Sequence, residues 1–119
     1  MPKVLVIDDD EMVLALAQGI LREEGYQTLT TADGPQGIAI YKEQRPDLVL
    51  LDLALPSMNG LEVLRKLRGF DEKARVIVFT GLGTEESADE ALRYGAIDFI
   101  RKPVAYAEFL KRIKSAIPA

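Results

Sequence analysis

The chain has 119 residues, 48% hydrophobic and 29% charged, which suits one compact domain with its own core and leaves no room for a second. It contains no cysteine and no histidine, so disulfides, zinc–thiolate sites, iron–sulfur clusters, thiol nucleophiles and histidine-based general bases are excluded. Fifteen Lys and Arg stand against nineteen Asp and Glu, a net charge of -4 without a long block of either sign, so a broad nucleic-acid footprint is not expected.

Val4 to Ile7 is an apolar run of strand length, followed by Val13, Ala17, Ile20 and Leu21 at helical spacing, with a stop at Gly25. Tyr26 to Thr30 alternates as a weaker strand, and Gly37 to Gln44 has helical length. Leu48 to Leu51 is a second wholly apolar strand; Leu61, Leu64 and Leu67 then mark a helix before Gly69. Val76 to Phe79 reads as strand, Glu85 to Tyr94 as helix and Ile97 to Arg101 as a weaker strand. Ala105 to Ile117 closes the series, with Tyr106, Phe109, Leu110, Ile113 and Ile117 on one helical face. Strands without polar alternation suit a sheet covered on both faces, and five β-α units in succession imply an α/β fold with parallel strands and right-handed crossovers. No apolar run is long enough to span a membrane, and the stretch after Met1-Pro2-Lys3 is too short for a signal peptide, so a cytoplasmic protein is expected.

Open sheets of this kind bind ligands beyond the carboxyl ends of their strands, where the strand order reverses. The first strand ends in Asp8, Asp9 and Asp10, the third in Asp52, the fourth in Thr80 and the fifth in Lys102-Pro103. One aspartate could cap the following helix, worth about 1 kcal/mol, but three in a row repel one another and call for a cation or a basic partner nearby. Asp52 follows four apolar residues, where an ionised carboxylate is costly unless paired, while Asn59-Gly60 already supplies the chemistry of a helix start. Lys102 alone would read as a solvent-facing lysine and Thr80 alone as an ordinary strand residue; beside the carboxylates they become a counter-charge and a hydroxyl donor. The set reads as a metal-dependent phosphoryl site, in which aspartates hold Mg²⁺ and one carboxylate forms an acyl phosphate.

These residues resemble the receiver domain of two-component response regulators, over Lys3 to Ile117. The resemblance rests on Val4-Leu-Val-Ile-Asp-Asp-Asp-Glu11, Pro46-Asp-Leu-Val-Leu-Leu-Asp-Leu-Ala-Leu-Pro-Ser-Met-Asn-Gly60, Val76-Ile-Val-Phe-Thr-Gly81 and Gly95-Ala-Ile-Asp-Phe-Ile-Arg-Lys-Pro103. It implies a (βα)5 doubly wound, CheY-like (flavodoxin-like) three-layer sandwich of strand order 2-1-3-4-5, with residues 1–119 forming a receiver domain without an effector. Asp52 is then the phosphoacceptor, served by a sensor histidine kinase, a phosphotransfer protein or a small donor such as acetyl phosphate. Asp9 is the direct Mg²⁺ ligand, Asp8 acts mainly through water, and the Ala54 backbone carbonyl is a further ligand; Mn²⁺ is a substitute and Ca²⁺ an alternative occupant. Lys102 contacts the phosphoryl oxygens, with a cis bond to Pro103, about 5% of X-Pro bonds in folded proteins. Thr80 binds the phosphoryl group after transfer, and Phe99 turns inward as Thr80 moves. A downstream target reads the face of the fourth helix, fifth strand and fifth helix, and the domain is a monomer or a weak, phosphorylation-dependent dimer. Such a domain is a switch and no conventional enzyme, promoting only its own phosphorylation and slow dephosphorylation.

Three other readings compete. A phosphatase of the haloacid dehalogenase type would use Asp8 as nucleophile in an Asp8-x-Asp10 motif, but Met12-Val13 follows, no late acidic motif appears and Asp52 is left without a role. A phosphorylation-independent adaptor would usually lack one of the acids or the lysine, and all are present. A nucleotide binder lacks its glycine-rich loop after the first strand, where Asp8 to Glu11 stand instead. Leu55 and Asn59 replace the more usual Met and Asp of the family, both tolerable changes. Ala54 and Leu82 are apolar where relatives often carry polar side chains flanking the path of a hydrolysing water, so slow self-dephosphorylation is expected. The phosphorylated wild type should outlive an Ala54→Asn, Leu82→Glu double variant when intact mass is followed over time.

Overall fold

A computed structural model describes residues 1–81 and 83–117. The elements run β1 (Lys3–Ile7), α1 (Glu11–Glu23), β2 (Gln27–Thr31), α2 (Gly34–Gln44), β3 (Leu48–Leu51), α3 (Gly60–Phe70), β4 (Val76–Thr80), α4 (Glu85–Arg93), β5 (Asp98–Arg101) and α5 (Tyr106–Ala116). All pairings are parallel and the sheet order is β2-β1-β3-β4-β5. The expected α/β architecture is therefore present, and no helix among the described residues is long and apolar enough to cross a membrane.

The unbroken apolar strands are explained by their two cores. Successive side chains of a strand point to opposite faces. Leu5, Ile7, Val49, Leu51, Val76 and Val78 face α2, α3 and α4 through Tyr41, Val63, Leu64, Leu67 and Ala91. Val4, Val6, Leu48, Leu50, Ile77 and Ile100 face α1 and α5 through Ala17, Leu21, Phe109 and Ile113. Both faces are dry, so no polar alternation is tolerated in β1, β3 or β4.

The element ends follow local chemistry. Asp10 caps α1 by accepting from the Met12 N–H at 2.9 Å, and Asn59 caps α3 by accepting from Leu61 N–H at 2.8 Å. α2 begins three residues before the expected Gly37, because Asp33 caps it and Pro35 stands at a position where its missing N–H costs nothing. α3 continues through Gly69 to Phe70, ending where Asp71 leaves helical geometry. On α5 the expected apolar face is narrower than the sequence suggests: Phe109, Ile113 and Ile117 are buried, whereas Tyr106 is 51% exposed.

Gly60 is required by a close approach. A Cβ there would lie 2.5 Å from Leu53 Cα and press on the Asp52 carbonyl, so α3 can start against the loop after β3 only without a side chain. Gly60→Ala is expected to lower stability by roughly 1–3 kcal/mol through overpacking. Gly19→Ala, exposed in the middle of α1 with nothing within 4 Å, should raise it by about 0.5–1 kcal/mol. Urea unfolding midpoints of the two variants check both signs.

Candidate functional site

The sheet order reverses at β1, which lies between β2 and β3. Its register with β3 pairs Ile7 with Leu51, so the next residues, Asp8 and Asp52, leave neighbouring strands side by side. Asp8 is 1% exposed and Asp52 6%, while Asp9 is exposed at the rim. Carboxylate oxygens of these three residues all lie within 4.8 Å of one another.

Lys102 Nζ lies 2.5 Å from Asp8 Oδ2 and 3.3 Å from Asp52 Oδ2. The same ammonium stands 5.2 Å from the centre of the Phe79 ring, which packs on Phe109. Thr80 is fully buried and donates from its hydroxyl to Asp52 Oδ1 at 2.5 Å; the Ala54 N–H donates to the same oxygen at 3.2 Å. Asp8 Oδ1 accepts from the Asp10 N–H at 2.9 Å. Burial pushes the Asp8 carboxyl up from its ordinary value; the hydrogen bond from Lys102 opposes this, and the neighbouring Asp52 charge adds to it.

The cluster therefore sets three carboxylates against one ammonium, with oxygen as the ligand atom throughout. That donor set suits a hard divalent cation. Mg²⁺ binds oxygens at about 2.1 Å, so opposite ligands are about 4.2 Å apart, and a cluster 4.8 Å wide reaches that span by small side-chain movements. The residues present fit Mg²⁺, and Asp8, Asp9 and Asp52 are the side chains that could hold it.

Asp8, Asp9, Asp52, Ala54, Thr80 and Lys102 converge on one pocket of charge, and the Lys102–Pro103 peptide bond is cis. Phe99 stands elsewhere, half-buried beside the core under α3 and α4 and lining a groove with Leu92, Ile97 and Arg112. Leu82, singled out for its effect on hydrolysis, lies outside the described residues. Asp10 faces the α1 N-terminus as its cap, so the second acid of the phosphatase motif is turned away from the cluster.

A sequence model of the response regulator receiver domain matches residues 4–114. The chain belongs to that family. It is 36% identical to the sporulation initiation phosphotransferase F of Bacillus subtilis, covering 98% of this chain and 94% of that protein. With the chemotaxis protein CheY of Treponema pallidum it shares 40% identity, over 97% of this chain and 82% of the other. A solved CheX–CheY–BeF3–Mg complex from Borrelia burgdorferi matches with a TM-score of 0.92 at 35% identity, covering 96% of this chain and 87% of that one. Membership removes the phosphatase and nucleotide-binder readings of the sequence.

Two contacts of this receiver domain were not evident from the sequence. Ser57 reaches across to Asp33, and Arg112 forks onto Asp98 while also donating to the Phe99 carbonyl at 3.1 Å. The Asp98–Arg112 spacing crosses from β5 to the second turn of α5, and only the fold shows that these residues meet. Burial alone would raise the Asp98 carboxyl, but the Arg112 fork and the Phe99 N–H outweigh it and hold it below its ordinary value. A carboxylate so depressed contributes stability above its unfolded pKa and loses it as pH falls through the lower folded one. Asp98→Asn is therefore expected to cost about 1 kcal/mol at pH 7, and the gap from wild type should close below the ordinary aspartate range. Urea midpoints of both proteins between pH 7 and pH 2.5 check this.

Proposed function

We propose that this receiver domain accepts a phosphoryl group on Asp52 in an Mg²⁺-dependent reaction and, so modified, changes the partner preference of its α4–β5–α5 face. The observation that carries the reading is the surroundings of Asp52: a buried carboxylate with Thr80 and the Ala54 N–H on one oxygen, Lys102 on the other, and two further carboxylates alongside.

Asp8, Asp9 and Asp52, with the backbone carbonyl of Ala54, would hold Mg²⁺, which supplies charge neutralisation where phosphoryl and carboxylate oxygens meet. One Asp52 oxygen forms the new O–P bond. The donor's bond to phosphorus breaks, N–P in a phosphohistidine or O–P in acetyl phosphate, and the leaving group departs with its electron pair. Lys102 neutralises charge on the transferred group, and the Thr80 hydroxyl hydrogen-bonds it after transfer. Transfer asks little more than positioning and charge stabilisation of the protein, so no histidine or thiol is needed.

The acyl phosphate carries more negative charge than the carboxylate it replaces, and it brings new acceptor oxygens. Thr80 and Lys102 both respond to that charge, and both are tied to β5. The Lys102 N–H donates to the Thr80 carbonyl at 3.0 Å, and Val78 and Thr80 pair with Phe99 and Arg101. A shift at Thr80 thus reaches Phe99 through strand pairing. A downstream target can exploit it only to the extent that it binds the two arrangements with different affinity. The phosphoryl source is a sensor histidine kinase or a phosphotransfer protein, and the domain acts as a switch, with its own phosphorylation and slow dephosphorylation as its only chemistry.

Intact mass after incubation with acetyl phosphate tests the reading. A gain of one phosphoryl group is expected with Mg²⁺ and not with EDTA, abolished by Asp52→Asn and retained in Asp10→Asn, whose side chain only caps α1. No adduct from acetyl phosphate or from a phosphorylated histidine kinase would favour the phosphorylation-independent adaptor instead.

A further inference from the structure

The loop that joins β3 to α3 carries Asp52 at one end and Ala54 two residues on, so its position sets the geometry of both. It is fastened at three points. The Gly60 N–H donates to the Leu53 carbonyl at 3.0 Å. Met58 packs against the β2–α2 turn so closely that a Cβ on Gly34 would lie 3.2 Å from Met58 Cβ. Ser57 Oγ donates to Asp33 Oδ1 at 2.6 Å. The first two ties are backbone and apolar; the third is the one made by a polar side chain to a carboxylate.

The turn that Ser57 grips is itself held by hydrogen bonds. Asp33 Oδ2 accepts from the Gln36 N–H at 2.8 Å as the α2 cap, and the Asp33 N–H donates to Thr31 Oγ1 at 3.2 Å. Thr31 Oγ1 in turn donates to Gln36 Oε1 at 2.5 Å, and the Thr31 carbonyl accepts from the Asp8 N–H at 3.1 Å. Ser57 is thereby linked through one turn to the backbone of an acid in the cluster. The hydrogen bonds from Ser57 and Gln36 hold the Asp33 carboxyl below its ordinary range, so the acceptor is charged at neutral pH. Between Ser57 and Ala54 stand only Leu55 and Pro56. Proline fixes its own φ and restricts the residue before it to extended geometry, so this link is stiff and transmits displacement.

We propose that Ser57 is a positioning residue, whose hydrogen bond to Asp33 sets the place of the Ala54 carbonyl over the acidic cluster and so tunes Mg²⁺ affinity without contact with the ion. The inference rests on the metal site of the proposed function and extends it to a residue outside the cluster. Outer partners of metal ligands commonly change affinity by 10- to 100-fold; for an exposed tie acting through a backbone segment we expect about three- to tenfold.

Calorimetric titration of the metal-free 119-residue chain with Mg²⁺ tests this in wild type, Ser57→Ala and Ser57→Thr. The expected result is an affinity weakened about three- to tenfold in Ser57→Ala and restored in Ser57→Thr, which keeps the hydroxyl. Metal-free urea midpoints should agree among the three proteins, and phosphorylation by acetyl phosphate should be slowed in Ser57→Ala only below saturating Mg²⁺. Equal affinities in wild type and Ser57→Ala would overturn the positioning role while leaving the metal site standing. A loss that Ser57→Thr does not restore, or one accompanied by a lower metal-free midpoint, would overturn it as well. Absence of Mg²⁺ binding in the wild type would overturn both the positioning role and the site on which it rests.

Discussion

Parallel pairing of β1 with β3 forces two aspartates together at the edge of an apolar sheet, and the rest of the site is an answer to that repulsion. Four residues of each strand are fully or almost fully dry, and neither can slip without driving aliphatic side chains out of their core. The carboxylates are therefore held close by the hydrophobic interior, which has no alternative register to offer. Lys102 relieves part of the strain from the far edge of the cluster, and its ammonium is in turn backed by the Phe79 ring. The remaining negative charge is what makes a divalent cation welcome.

The same logic explains why so much of the architecture was legible in the residues. Val4 to Ile7 and Leu48 to Leu51 are apolar without alternation because both faces are covered, and that pattern, with helical segments between, admits few folds. The polar residues that end those runs then had to meet, since parallel strands bring their carboxyl ends to one edge. Less visible was the start of one helix. The beginning of α2 depended on Asp33 acting as a cap with Pro35 behind it, a short-range signal that a count of apolar residues does not register. Tyr106 shows the opposite failure: its spacing fits the buried stripe of α5, but it is the first residue of the helix and stands half exposed, whereas Phe109 and Ile113 are buried.

The contacts hardest to foresee join elements that are distant in sequence and close only because the sheet is doubly wound. Ser57 and Asp33 belong to different loops, and each alone is an unremarked polar residue in a turn. Arg112 and Asp98 are separated by the rest of β5, a loop and the first turns of α5. Both pairs attach a segment next to a residue of interest, the loop after Asp52 in one case and the strand of Phe99 in the other. Their value lies in geometry, which composition and periodicity do not encode.

Lys102 and Asp8 stand 94 positions apart along the chain, and the acidic cluster acquires its counter-charge only when both are in place. During vectorial synthesis the aspartates of β1 emerge first and the lysine after β5, close to the end of the domain. A nascent chain still missing β5 holds the acids without the ammonium that organises them. Completion of the last strand is thus also the moment at which the charged site is first assembled, and until then the acids of β1 stand on a partly folded sheet.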